Sequence, residues 1–472
     1  MRKPLLVTLL ALLASGCMVG PDYVRPPVET PTAWRLSEQD ARDLANTVWW
    51  EQLGDPVLND LVATALHENK DLMIAAARVD QFAGNYGIVR SGLFPQVGAG
   101  YEVRRQRDVS AVVVGAGGDE TYNSYNAVLN ASWEIDIWGR IRRQTEAARA
   151  QLLASEEGRR GVILSLVGSV AGAYINLRDL DRQLEIARAT AKSRGESYEI
   201  FKLRFEGGII SVLELSQNRS QYEEALATIP PLEKAIAQQE NGLSVLLGRN
   251  PGPIPRGKDI DHLTLPAIPA GLPSDLLERR PDIRRTEQDL IAANALIGAA
   301  KAAYFPTISL TGLFGYASTS LSNLFDSQSK VWSYGAPITM PIFTAGAIAG
   351  QVQAAEAQQQ QALFAYQKAI QEAFREVNDA LISQNRTREQ LKAQRRQVEA
   401  LQQYAATARL RYDNGYTSYI EVLDAERSLF NVQLQYTQTQ QIEFQSLINL
   451  YLAMGGGWVS EAEKVANTTG AQ

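Results

Sequence analysis

Apolar positions recur at helical spacing along most of the chain, and two places per half break that period. Over residues 96–104, Val97, Ala99, Tyr101 and Val103 alternate with Gln96, Gly98, Gly100, Glu102 and Arg104. Over residues 126–136, Ala127, Leu129, Ala131, Trp133 and Ile135 stand opposite Asn126, Asn130, Ser132, Glu134 and Asp136. In the second half, Ile308, Leu310, Phe314 and Tyr316 repeat the first strand, and Tyr334, Ala336, Ile338, Met340 and Ile342 the second. Each half is therefore expected to hold one hairpin of two alternating strands, with helices elsewhere.

The helices should be long. Residues 351–413 contain neither Gly nor Pro, so an unbroken helix of roughly 63 residues would span about 95 Å. Its Gln-, Ala-, Arg- and Glu-rich sequence leaves only a thin apolar seam, as expected of helices packed side by side around water. The counterpart, 139–205, lacks proline but carries several glycines. Within it, GVILSLVGSVAGAYINL (161–177) is apolar enough to suggest a membrane helix. It is short and flanked by Arg159, Arg160 and Arg178, so its Gly168 and Gly172 point instead to close helix–helix contact.

Two stretches repeat in phase: LRFEGGIISVLELSQNRS (203–220) and LRYDNGYTSYIEVLDAERS (410–428). A helix stops at Gly208 or Gly415, which adopts the left-handed backbone without steric cost. The next starts at Ser211 or Ser418, with Glu214 or Glu421 placed to close a capping box. The same shift of about 207 relates QTEAARAQ (144–151) to QVQAAEAQ (351–358) and LSVLLG (243–248) to LYLAMG (450–455). Upstream, NKDLMIAAARV and GLFP match RPDIRRTEQDL and AYFP at a shift of about 211. The chain is two halves of one design, the first longer by about four residues between Phe94 and Trp133.

A formal net charge of -6 offers no basic face for nucleic acid. One cysteine and two histidines, His67 and His262, give no expected metal site. No glycine-rich phosphate loop and no nucleophile constellation occurs, so the chain is not expected to be an enzyme. The single cysteine closes MRKPLLVTLLALLASGC, two cations and an apolar run that read as an export signal. Its ending resembles the bacterial lipobox, although Ala14 stands where Leu is commoner; the resemblance implies a lipid attachment site at Cys17, and the alternative is an ordinary signal peptide with a cysteine near its cleavage site. The proline-rich VGPDYVRPPVETPTAW after it should be extended, and Asp55-Pro56 should start the first helix.

An export signal, aromatic residues near strand ends (Tyr101, Trp133, Tyr316, Trp332) and the lack of other core strands favour a lipid-facing barrel. Four strands cannot close one, so several copies of the chain must share it. Pro337 and Pro341 are expected on the lumen-facing side of the last strand, near its lower end.

CMVGPDYVRP, LLERRPDI (276–283), AAYFPTISLTG (302–312), SYIEVLDAERSLF (418–430) and LYLAMGGGW (450–458) resemble the outer membrane factor family. These are the TolC-like exit ducts, particularly the acylated branch serving resistance-nodulation-division efflux pumps, and the resemblance covers nearly the whole mature chain. It implies a mainly α fold with a small β part. A homotrimer would share a 12-stranded membrane β-barrel, four strands per chain, continued by an elongated α-helical barrel through the periplasm. It further implies that Gly207, Gly208, Ser211, Asn414, Gly415 and Ser418 form the periplasmic tip that meets an adaptor protein joined to the inner-membrane pump. Ile420, Asp424 and Arg427 match the family's pore gate, with Asp424 and Arg427 spaced for an i,i+3 ion pair. The repeat mates of that pair are Gln217 and Ser220. The only cofactor implied is the covalent N-acyl and S-diacylglycerol lipid on Cys17. The expected cargo is drugs or other small toxic compounds, and the alternative is the exit duct of a type I protein secretion system.

The expected organisation is a signal peptide over 1–16 and an acylated linker over 17–54. Repeat 1 comprises a helix (55–92), a β-hairpin (93–138) and long helices (139–249). An equatorial linker (250–273) leads to repeat 2, again helix (274–303), hairpin (304–343) and long helices (344–455), and then a C-terminal equatorial tail (456–472).

Overall fold

The structure, a computed structural model, describes residues 18–28, 30–31, 48–108, 120–266, 268, 273–455, 459–460 and 462–463. The signal peptide, Cys17 and most of the C-terminal tail lie outside the described residues. The chain runs α1 (Pro56–Glu68), α2 (Lys70–Ser91), β1 (Gln96–Asp108), β2 (Glu120–Ile135), α3 (Arg140–Glu206) and α4 (Val212–Leu246). The one-turn α5 (Leu276–Arg279) and α6 (Pro281–Ala302) follow, then β3 (Thr307–Ser318), β4 (Lys330–Gly335), β5 (Ile338–Thr339), α7 (Ala347–Asp413) and α8 (Tyr419–Ala453). The internal repeat is visible in the boundaries. Both α3 and α7 have 67 residues, and both α4 and α8 have 35. The left-handed glycines Gly139, Gly208 and Gly248 recur as Gly346, Gly415 and Gly455, each 207 positions on.

The chain forms two compact units. The first comprises Met1–Pro27, Arg78–Glu156 and Arg285–Gln367 and holds the sheet. Its strands are antiparallel in the order β1-β2-β3-β4, with β5 also pairing β3, so β2 and β3 join the two repeats. The register aligns Val97, Ala131, Gly312 and Tyr334 in one row and Ala99, Leu129, Phe314 and Trp332 in the next. Trp133 faces Leu310, and Ile135 faces Ile308, which faces Ile338. The alternating residues thus build one continuous apolar face, most of it exposed in the single chain. The opposite face is less uniformly polar than expected, because Val128, Leu313 and Val331 lie on it beside Asn126, Asn130 and Ser132.

The last strand is shorter than expected. Pro337 has no N–H to donate to the ladder; its carbonyl still accepts from Ser309 N at 3.1 Å. Pairing stops at Gly335, resumes for Ile338–Thr339 and ends before Pro341, so Met340 and Ile342 lie outside it. Pro337 stands opposite Ser309, on the face of Glu134, its paired neighbour.

At the corner between β2 and α3, Asp136 accepts from Ile141 N (3.0 Å) and Arg142 N (2.8 Å), capping two orphan amides. A strap from Met18 onward docks here. Val19 N donates to Trp138 O at 3.0 Å, and the buried Arg143 reaches Asp22 at 2.7 Å. Gly20 lies on α6 so closely that a Cβ would sit 2.3 Å from Gly298 Cα. Tyr23 and Arg25 both hold Glu287. The GPDYVR motif is therefore a backbone-to-backbone seat with charged ties.

The second unit comprises Val28–Ala77, Glu157–Arg284 and Lys368–Gln472. Asp55, fully buried, caps α1 through Val57 N (2.9 Å) and accepts from Tyr174 Oη (2.7 Å) and Lys258 N (2.9 Å). Arg280 of the ERRPD motif pairs with Asp282 and Glu376 and donates to Ala453 O at 3.0 Å, a cation at the C-terminus of α8. The apolar stretch 161–177 lies within α3, where a Cβ on Gly168 would meet Leu452 at 2.6 Å and one on Gly172 would meet Gln445 at 2.5 Å. The glycines thus admit α8 rather than lipid.

Candidate functional site

Both helical turns in the second unit close with the same backbone bonds. Gly208 has φ 73° and Gly415 φ 75°. Ile209 N donates to Arg204 O (2.8 Å) and Gly208 N to Phe205 O (2.9 Å); Tyr416 N to Arg411 O and Gly415 N to Tyr412 O (both 2.9 Å) repeat the pattern. This is the Schellman arrangement, which satisfies carbonyls a helix end would otherwise orphan. Gly207 and Asn414 occupy equivalent positions, and Asn414 Nδ2 adds a bond to Leu410 O at 2.8 Å.

The two helix starts differ. Ser211 and Glu214 form a complete capping box, with Glu214 N on Ser211 Oγ at 3.3 Å and Ser211 N on Glu214 Oε2 at 2.9 Å. Ser418 has nearly the same backbone angles, yet its side chain makes no capping bond, contrary to expectation. The difference follows from the next residue. Val212 is 64% exposed, so the cap must hold the start of α4; Tyr419 is 4% exposed and anchors α8 by burial.

Tyr419 sits in a small core that sequence reasoning missed. Its ring meets Phe201 (centroids 4.3 Å) and Tyr412 (5.0 Å), with Ala408, Val422 and Ala425 around them. Asn218 Nδ2 donates to Tyr419 Oη at 2.5 Å and to Ser197 Oγ at 3.2 Å, tying α4 to α8 and α3. One turn further on, Arg409 lies 3.9 Å from Glu426, and Arg194 covers the Phe430 ring at 5.2 Å. Burial pushes the Tyr419 hydroxyl and the Glu426 carboxyl up, the latter partly offset by Arg409 and Arg194. Burial also lowers Arg194. The available signal was a size exchange between repeats: Phe201 stands where the second copy has Ala408, and Tyr419 where the first has Val212.

Ile420, Asp424 and Arg427 fall together on the opposite, exposed face of α8. Ile420 is 61% exposed. Asp424 Oδ1 and the Arg427 guanidinium are 3.0 Å apart, and both side chains are about half exposed. An exposed pair of this kind contributes about 0–1 kcal/mol to stability. In the first repeat, Leu213, Gln217 and Ser220 take the same positions without a charge pair. Leu203, Ile209, Leu410 and Tyr416 add exposed apolar surface beside the turns. The remaining expected site residue, Cys17, lies outside the described residues, one position before the docked strap.

The model of a family described as outer membrane efflux protein matches residues 61–249 and 272–456, one stretch in each repeat. The chain is 38% identical over 470 residues to the toluene efflux pump outer membrane protein TtgF of Pseudomonas putida, covering 97% of this chain and 98% of that protein. It is 37% identical over 457 residues to the cation efflux system protein CusC of Escherichia coli, covering 95% and 97%. The open state of the Neisseria gonorrhoeae MtrE outer membrane channel superposes with a TM-score of 0.83 at 32% identity, covering 94% of this chain and 99% of that one.

Proposed function

The chain belongs to the outer membrane efflux protein family, and from that premise we propose that three copies form the outer-membrane exit duct of a tripartite efflux pump. The observation that carries the assembly is the sheet: four strand positions, β4 and β5 being two pieces of the last one along β3, with one continuous apolar face and outer edges of β1 and β4 without a partner strand among the described residues. Hydrocarbon tolerates no open backbone edge, and membrane barrels need at least about eight strands. Three copies supply twelve and close the ring edge to edge. The 67-residue α3 and α7, each about 100 Å long at 1.5 Å per residue, would then line the periplasmic section.

In this reading the two turns form the periplasmic mouth, met by an adaptor through Gly207, Gly208, Ser211, Asn414, Gly415, Ser418 and the exposed apolar residues beside them. Three copies of Ile420, Asp424 and Arg427 ring the axis. Their carboxylates repel unless paired, so the Asp424–Arg427 contact holds a narrow state that a small outward shift of α8 releases. Cys17 carries the lipid, and the docked strap fixes where that anchor enters the membrane. The cargo is small toxic compounds passed on by an inner-membrane resistance-nodulation-division pump.

The test uses the single cysteine. With Cys17 acylated, Ser418→Cys carries one free thiol, and periplasmic cross-linking in the native host followed by mass spectrometry identifies its neighbour. Capture of an efflux adaptor is expected. Capture of a secretion adaptor would reassign the duct to protein export, and labelling from outside intact cells by an impermeant thiol reagent would overturn the topology.

A further inference from the structure

The connection between β3 and β4 is held together by its own backbone. Two short 3-10 turns, Leu321–Asn323 and Ser327–Ser329, shape residues 319–329. Asn323 is the hub: its carbonyl accepts from Asp326 N at 3.2 Å and from Ser329 Oγ at 2.7 Å, and its N–H donates to Ser320 O at 3.3 Å. Ser320 N donates to Ser318 Oγ at 3.1 Å, and Leu324 is fully buried. A compact loop pinned in this way holds its outward side chains at fixed places.

The side chain it holds out is Phe325, 71% exposed. A lone exposed ring would call for no explanation. This one meets the ring of Tyr316 edge to face, with centroids 5.5 Å apart and planes at 67°, and Tyr316 belongs to the apolar face of the sheet, in one row with Tyr101 and Ala127. Phe325 therefore continues that face past the end of β3. Its level along the barrel fits too. The eight positions from Ile135 to Ala127 cover about 27 Å along the strand, or on the order of 21 Å when tilted by about 40°, against a hydrocarbon belt about 25 Å tall. Tyr316, opposite Ala127, thus stands near the top of the belt, where membrane barrels carry a girdle of aromatic rings. Lys330, opposite Tyr316 on the other side, lays its ammonium over the Phe314 ring at 5.1 Å, so a ring meets the charge at that level.

We propose that Phe325 is a membrane anchor: a ring carried by the β3–β4 loop into the hydrocarbon edge of the leaflet at the loop end of the barrel, with lipid acyl chains as its partner. This rests on the membrane-barrel reading of the sheet. Seated in lipid, the loop stands outward as part of the barrel rim and leaves the mouth of the duct clear.

Phe325→Trp places a fluorescent reporter at the site, read as the difference from wild type, whose seven tryptophans supply the background. In liposomes of lipids brominated on the upper acyl chain the added emission should be lost, whereas aqueous iodide should leave it nearly intact. Iodide quenching without loss to the brominated lipid would put the loop in water and overturn the anchor. Phe325→Cys gives a second reading: it should form no oxidative disulfide between copies, and a disulfide would put the ring across the mouth and overturn the anchor as well. Planar-bilayer recording separates the two levels. Wild type that forms no channel sinks the barrel reading, whereas channels from wild type and Phe325→Trp with an iodide-quenched reporter sink only this inference.

Discussion

The turn at 207–211 and the turn at 414–418 share a backbone and differ in the side chains that hold it. Both close on a left-handed glycine with the same paired bonds. The first then relies on a capping box at an exposed helix start, the second on a buried tyrosine. Phe201, Val212 and Asn218 in one repeat stand against Ala408, Tyr419 and Ala425 in the other. Duplication kept what the backbone requires and let the two copies become complementary, ring to cavity and amide to hydroxyl. By the same logic, the Asp424–Arg427 pair on the exposed face of α8, absent from the first copy, answers to something other than hairpin folding.

The largest effect should come from Phe201→Ala, which removes the ring under Tyr419 and Tyr412 and costs about 3–5 kcal/mol as a large-to-small change in a buried site. Hydrogen exchange should rise at both turns together; a rise confined to the first would show that the copies are not coupled through this core.

Next comes the buried carboxyl of Asp179, bound by Thr437 and Gln183, where the second copy has an exposed Arg386. Burial pushes Asp179 above the ordinary carboxylate range, its hydrogen bonds offsetting part of that shift. A raised folded value means that the favourable contribution is complete below the unfolded pKa of about 4 and is lost as pH rises through the folded value. The thermal midpoint of Asp179→Asn minus that of wild type should therefore grow from pH 4 to pH 7. A difference independent of pH would refute the burial argument.

The smallest effect separates the caps. Ser211→Ala should cost about 1 kcal/mol in the first turn of α4, whereas Ser418→Ala should stay within a few tenths. Exchange rates of the first-turn amides of α4 and α8 report each directly. Equal losses would mean that Ser418 caps after all.

Much of the fold was legible because it follows from period and punctuation. Alternation located the strands and gave the faces that the register later joined, and Gly208 and Gly415 marked the turns. What stayed hidden depends on residues that meet only after folding. Phe201 and Tyr419 look like ordinary helix positions until α3 and α8 touch. Pro230 and Pro231 would have argued for a helix end, yet α4 runs through them, since both are exposed and water can satisfy the carbonyls they orphan. The effect of Pro337 on strand length was not foreseen. For Asp424 and Arg427, the resemblance singled out the positions and their i,i+3 spacing gave the pair that the structure holds at 3.0 Å.

The central claim is that this pair narrows the duct, and single-channel recording of Asp424→Ala in planar bilayers tests it most directly, with Gln217→Ala as the matched change in the first repeat. Conductance should rise for Asp424→Ala and stay at the wild-type level for Gln217→Ala. Unchanged conductance of Asp424→Ala with intact trimers would contradict the account.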